Sequence, residues 1–165
     1  MVPFITSKHS ATSKIAKYLD RLLRPFANEH MTSGVFYDEA DFIQRLNNYV
    51  QTERHLTPTT LFCRIKITNY HTLDHHKSMI DAVTSFIQDN VAANRYQDLS
   101  INTIKNLLQL ALYNNLFYYK NQIYVLTKGI PNTMSLSDTL ANIYLYVWQN
   151  KVLKKVREKK EFLGR

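Results

Sequence analysis

The chain is short of the residues that build tight catalytic turns and covalent or metal frameworks. Its 165 residues include one cysteine, three glycines and four prolines. A lone Cys63 excludes an internal disulfide framework and a cysteine-based zinc site. So few glycines is unusual for an independent enzyme domain, whose sharp functional turns need residues free to adopt positive φ. The shortage points instead to a helix-rich piece or a fragment. No run of about 18 apolar residues occurs, so no segment reads as a membrane-spanning helix. Met1 to Lys8 has no apolar core of the kind a secretory leader needs. The expected location is therefore intracellular, with nucleus and cytoplasm left open.

What is present is aromatic and basic. The chain is 45% hydrophobic, with 11 tyrosines, eight phenylalanines and one tryptophan. That is enough to bury one core and too much for a disordered segment. The formal net charge is +8, and it is uneven. Residues 1–30 hold five basic against two acidic residues, residues 151–165 hold seven against two, and the middle is neutral. Basic ends on a neutral core suit a polyanionic partner such as RNA or DNA. A solvated cationic helix end would look the same from charge alone.

Taken in order, Ser10 to Arg24 reads as a first helix. Ile15, Tyr18, Leu19, Leu22 and Leu23 share one face, and Pro25 is expected to stop it. Asp38 to Arg54 reads as a second helix opened by acids, with Phe42, Ile43, Leu46, Tyr49 and Val50 as its apolar face. Leu61 to Ile67 is β-branched and apolar, and predicts a strand. Asp74 is expected to cap a third helix to about Ala92, with Met79, Ile80, Val83, Phe86, Ile87 and Val91 inward. Ser100 is expected to cap a fourth, Ile101 to Asn114. Lys120-Asn121, between Leu116–Tyr119 and Gln122–Leu126, is a two-residue hairpin signal. A long helix from about Ser135 to Lys160 closes the chain, apolar through Trp148 and basic beyond it.

The most informative stretch is Lys128-Gly129-Ile130-Pro131-Asn132-Thr133-Met134-Ser135-Leu136-Ser137-Asp138-Thr139-Leu140-Ala141-Asn142. A Gly-Ile-Pro turn before a Ser/Asp-led helix is purposeful where both Gly and Pro are scarce. From about residue 13 to residue 165 the order of parts resembles the fingers and palm of reverse transcriptases, specifically those of Penelope-like and related retroelements. Leu61–Ile67 followed by Thr68-Asn69-Tyr70-His71-Thr72 resembles that family's first catalytic motif, an apolar strand ending in Asp. Leu108 to Tyr124 resembles its helix and tyrosine-rich hairpin. Gly129-Ile130-Pro131, with Ser137, Leu140, Ala141 and Asn142, resembles the loop and helix that support template and nascent base pair. Glu161-Phe162-Leu163-Gly164-Arg165 resembles the lead-in to the paired-aspartate motif.

The resemblance implies an α+β, helix-dominated fold, a partial right-hand polymerase with one incomplete domain. Residues 10–60 would give fingers-like helices, and 61–165 a partial palm with a small sheet and one hairpin. It implies nucleotide or template contacts at His71, Gly129, Pro131, Thr133, Ser137 and Asn142. Phosphate contacts are expected from the basic run at Lys151, Lys154, Lys155 and Arg157. Two departures bear on activity. Lys66 stands where the family has its first catalytic aspartate, and Asn132-Thr133 stands where Met-Gly is expected. Nucleotidyl transfer needs carboxylates to hold two Mg²⁺, and an ammonium cannot serve. No catalytic residue and no cofactor is therefore expected, although an active family member would require Mg²⁺. The expectation is a truncated, inactive relative with residual nucleic-acid binding.

The alternative is a domesticated helical module that binds nucleic acid, or a protein at an unpaired sheet edge. His71, Asp74, His75 and His76 form a possible metal group, against which an exposed helix start is the plainer reading. The tyrosines of 113–124 could stack bases or simply pack across strands.

Overall fold

A computed structural model describes residues 5–6, 10–31, 34–36, 38–52, 56–67, 74–159 and 162–164, the side chains of Lys151 and Arg157 excepted. Along these residues run α1 (Ser13–His30), α2 (Glu39–Thr52), α3 (His76–Asn90), β1 (Arg95–Tyr96), β2 (Leu99–Ser100), α4 (Ile101–Tyr113), β3 (Leu116–Tyr119), β4 (Gln122–Val125) and α5 (Ser137–Glu158). The fold is helix-dominated α+β with two small antiparallel hairpins, β1–β2 and β3–β4.

Four helices make the core. α3 packs on α4 and α5, and α1 packs on the same pair. Their apolar stripes meet at Leu19, Leu23, Met79, Phe86, Ile87, Leu108, Leu112, Leu140 and Ile143, all essentially without solvent contact. The α3 face is the one its 3.6-residue period predicts, with Val91 left half-buried at the end. α4 starts where expected, because Ser100 Oγ accepts from the Thr103 amide at 3.0 Å and satisfies a first-turn donor.

The first helix does not stop at Pro25; it runs on to His30 with Pro25 exposed inside it. Proline in a helix costs about 3 kcal/mol relative to alanine. The next turn offsets that cost by burying Phe26 and Ala27, both 2% exposed. Phe26 meets Phe86 edge-on at 5.6 Å and Tyr96 at 4.5 Å between ring centroids, which makes continuation more favourable than fraying. Tyr18, assigned to the inward face, lies half outside instead.

The strand expected at Leu61–Ile67 does not form. The segment is exposed along its whole length and joins no ladder, with Leu61 at 87% and Ile65 at 86% exposure. Strand propensity measures fit to a half-buried pleated surface, and among the described residues no neighbouring strand provides one. The expected hairpin does form. Lys120 and Asn121 both take positive φ, 47° and 62°, as a two-residue primed turn demands, and Phe117 stacks on its partner Tyr124 at 5.5 Å.

α2 is amphipathic yet buries no residue. Its expected inward face meets an aromatic cluster rather than the core. Phe36 contacts Phe42 and stacks on Phe162, which also touches Phe42 and Tyr49. Gly164 lies so close to Phe36 that an added Cβ would fall 2.0 Å from its ring.

Candidate nucleic-acid interface

The turn before α5 is held in place from three sides. Gly129 takes a φ of 78°, a region glycine enters without strain. Its amide donates to the Asp74 carbonyl at 3.0 Å, and its own carbonyl accepts from His76 Nε2 at 2.7 Å. Ile130 and Pro131 are buried. The Pro131 carbonyl accepts from the Met134 amide at 3.1 Å and from Ser137 Oγ at 2.7 Å. On the outer side, the Ile5 amide donates to Asn132 Oδ1 at 3.4 Å and Thr133 Oγ1 donates to Thr6 Oγ1 at 3.2 Å.

Asp74 does not cap α3. The capping position is His75, whose side chain makes no cap bond. Asp74 sits one residue early; its Oδ1 accepts from the His75 amide and its Oδ2 from the Tyr144 hydroxyl at 2.5 Å. The Tyr144 bond and the His75 amide hold this carboxyl below its ordinary range. Burial and the carboxylate push the Tyr144 phenol up to about 12. Burial also lowers His76, whose ring is 2% exposed and meets Tyr113 edge-on. Asp74, His75 and His76 are thus turned to different tasks. Among the described residues no three His, Cys, Asp or Glu side chains converge as metal ligands would.

The candidate contacts divide into two kinds. Gly129, Pro131 and Ser137 are buried, and the polar groups given above are spent on the turn itself, so these residues shape the loop. Thr133 is half-buried and Asn142 is exposed on α5. His71 lies outside the described residues. Lys154 and Lys155 are exposed near the end of α5, and Lys151 and Arg157 belong to the same helix. At 1.5 Å per residue, Lys154 is about 26 Å along α5 from Ser137. The basic end of α5 and the turn are therefore separate surfaces.

Lys66 lies on the exposed segment after α2. Its ammonium cannot ligate Mg²⁺, which takes oxygen ligands.

The sequence reading missed the neighbour of the turn, which is α1. A trough of about 310 Å³ lies between them, lined by Ser13, Lys14 and Lys17 of α1 and by Thr133, Met134 and Ser135. Further along, Asp20 Oδ1 accepts from Thr139 of α5 at 2.6 Å, and Arg24 grips Asp20 at 2.8 and 3.2 Å. This ties α1 to the head of α5. The readable signal was the spacing of the α1 cations, which recur on one helical face. Comparison with protein families, curated proteins and solved structures found no match to this chain.

Proposed function

We propose that the chain is a reverse-transcriptase-like protein of retroelement origin that binds nucleic acid and does not polymerise it. The observation that carries this reading is the pre-built turn at Gly129–Ser137. The bonds at Gly129 and Pro131 fix its backbone, and it leads into a long helix beside a cationic one. A loop that has to meet a polyanion gains from such preorganisation, because little order is lost on binding. The order of motifs along the chain supports the family. Lys66 supports the loss of chemistry, since a two-metal transfer needs a carboxylate there.

A second reading, a helical protein-interaction module, draws on different residues. Leu61, Phe62 and Ile65 are exposed, and an apolar groove of about 360 Å³ lies on α3 and α5 among Ala82, Tyr144, Val147, Trp148 and Val152.

Two assays separate these possibilities. Fluorescence anisotropy with a labelled single-stranded oligonucleotide at low salt should show binding; its absence would leave the interaction module. Primer extension with Mg²⁺ or Mn²⁺ should give no product. Template-dependent extension that persists through purification would overturn the claim that the protein does not polymerise.

A further inference from the structure

Lys14, Lys17, Arg21 and Arg24 are all exposed on α1. At 3.6 residues per turn they fall within an arc of about 80°. From Lys14 to Arg24 the stripe is about 15 Å long, the reach of about four phosphates at 3.4 Å per nucleotide of one strand, and its part from Lys14 to Arg21 is about 10 Å, the reach of about three. The trough shared with Thr133 and Ser135 lies alongside it, lined by Lys14 and Lys17, and Arg24 donates to the Ser135 carbonyl at 3.5 Å.

Two features set it apart from an ordinary solvated helix face. The first is charge. The acid within the span of the stripe, Asp20, is only 13% exposed and is already satisfied by Arg24 and Thr139. Among the described residues Lys14, Lys17 and Arg21 make no ion pair, and the trough is lined by no carboxylate. The second is Tyr18, whose position on the helix is about 40° from Lys14, on the margin of the stripe. It is 49% exposed. An exposed aromatic among regularly spaced cations gives bases a surface to stack on while phosphates meet the charges.

We propose that the Lys14–Lys17–Arg21 stripe, with Tyr18 beside it, is the seat of a single-stranded nucleic-acid backbone, which runs alongside Thr133 and Ser135. This rests on the nucleic-acid reading above and assigns it a surface. The strand lies along α1 and not along the basic end of α5. The cations hold phosphodiesters, the hydroxyls of Ser13 and Ser135 donate to the same oxygens, and Tyr18 stacks one base. An acidic peptide would use the charges and ignore Tyr18. An anionic membrane would use the charges without needing a nucleotide.

The test uses the intact chain and a labelled 12-nucleotide single strand, with anisotropy measured across a salt series. Circular dichroism checks that each variant is folded, which surface positions favour. A Lys14→Gln/Lys17→Gln/Arg21→Gln variant should bind at least tenfold more weakly at low salt. Its log–log salt slope should be shallower by about 2, at about 0.7 per lost phosphate contact on a single strand. Tyr18→Leu should weaken binding at least fivefold with the slope unchanged, which a purely electrostatic surface would not do. Lys154→Gln/Lys155→Gln should change little. Wild-type binding that survives the triple substitution overturns this proposal and leaves nucleic-acid binding standing. Failure of the wild-type chain to bind at low salt overturns both. Stripe-dependent binding to phosphatidylserine vesicles or to polyglutamate, with none to the oligonucleotide, overturns the choice of ligand.

Discussion

His76 Nε2 donates to the Gly129 carbonyl at 2.7 Å across 53 residues of sequence, inside the core. This one bond fastens the first turn of α3 to the turn that precedes α5. It uses a ring that burial keeps neutral.

That relationship predicts a pH dependence. Burial lowers the folded-state pKa of His76 from the ordinary 6.5. Below pH 6.5 the unfolded chain therefore binds more protons at this site than the folded one, and stability falls as pH falls. Urea titrations from pH 8 to pH 5 should show wild-type stability declining below about pH 6.5. A His76→Gln variant should show a flatter profile. His76→Ala should cost about 1–3 kcal/mol at pH 7.5, because it leaves the buried Gly129 carbonyl unpaired. A His76→Gln profile as steep as wild type would assign the dependence to another group.

Tyr144 and Asp74 form the matching bond on the outside of the same junction. Tyr144→Phe should cost about 0.5–1.5 kcal/mol at neutral pH. The phenol is raised to about 12 in the folded chain. Its stabilisation is therefore complete below pH 10 and is lost as pH rises through about 12. A spectroscopic titration of the tyrosines should lose its latest-ionising step in the Tyr144→Phe variant. Asp74, freed of its main partner, should titrate closer to the ordinary carboxylate value when followed by NMR.

Pro25 is carried inside α1 at a cost that packing at Phe26 offsets. Pro25→Ala should restore a donor to the helix and stabilise the protein by about 1–3 kcal/mol, less whatever is lost by freeing the unfolded chain. Thermal melts would show this as a rise in Tm. A fall in Tm would mean that the proline ring itself makes a contact worth more than the missing hydrogen bond.

The exposed segment Leu61–Ile67 should make the protein sticky. Four of its seven residues are large apolar groups open to solvent, in a run of high β-propensity. Ile65→Lys should reduce concentration-dependent self-association in sedimentation or gel filtration. Stability should change by less than about 0.5 kcal/mol, since the side chain is 86% exposed. Unchanged association would direct attention to the apolar groove at Trp148 and Val152.

Sequence reasoning succeeded where local chemistry decides the outcome. α3 and α4 followed from period and from the Ser100 cap, and the β3–β4 turn from Lys120-Asn121. It erred where a partner was assumed. The apolar faces of α2 and of Leu61–Ile67 were read correctly as apolar, yet no core surface receives them. Pro25 was read by its local rule, which the burial of Phe26 overrode. At the site, the place of the Gly-Ile-Pro turn ahead of a helix was legible. Its fastening by His76, Ile5 and Thr6 was not, because those contacts join residues more than 50 positions apart. The α1 stripe was written in the spacing 14, 17, 21 and 24, and only the packing of α1 beside the turn gives that spacing meaning.

The most direct test of the account is the affinity of the intact wild-type chain for a labelled single-stranded oligonucleotide as a function of salt. Binding should be measurable at low salt, and the logarithm of the association constant should fall linearly with the logarithm of salt concentration. A slope of about −2 to −3 is expected if three or four phosphates are held. No binding at the lowest salt, or an affinity indifferent to salt, would contradict it.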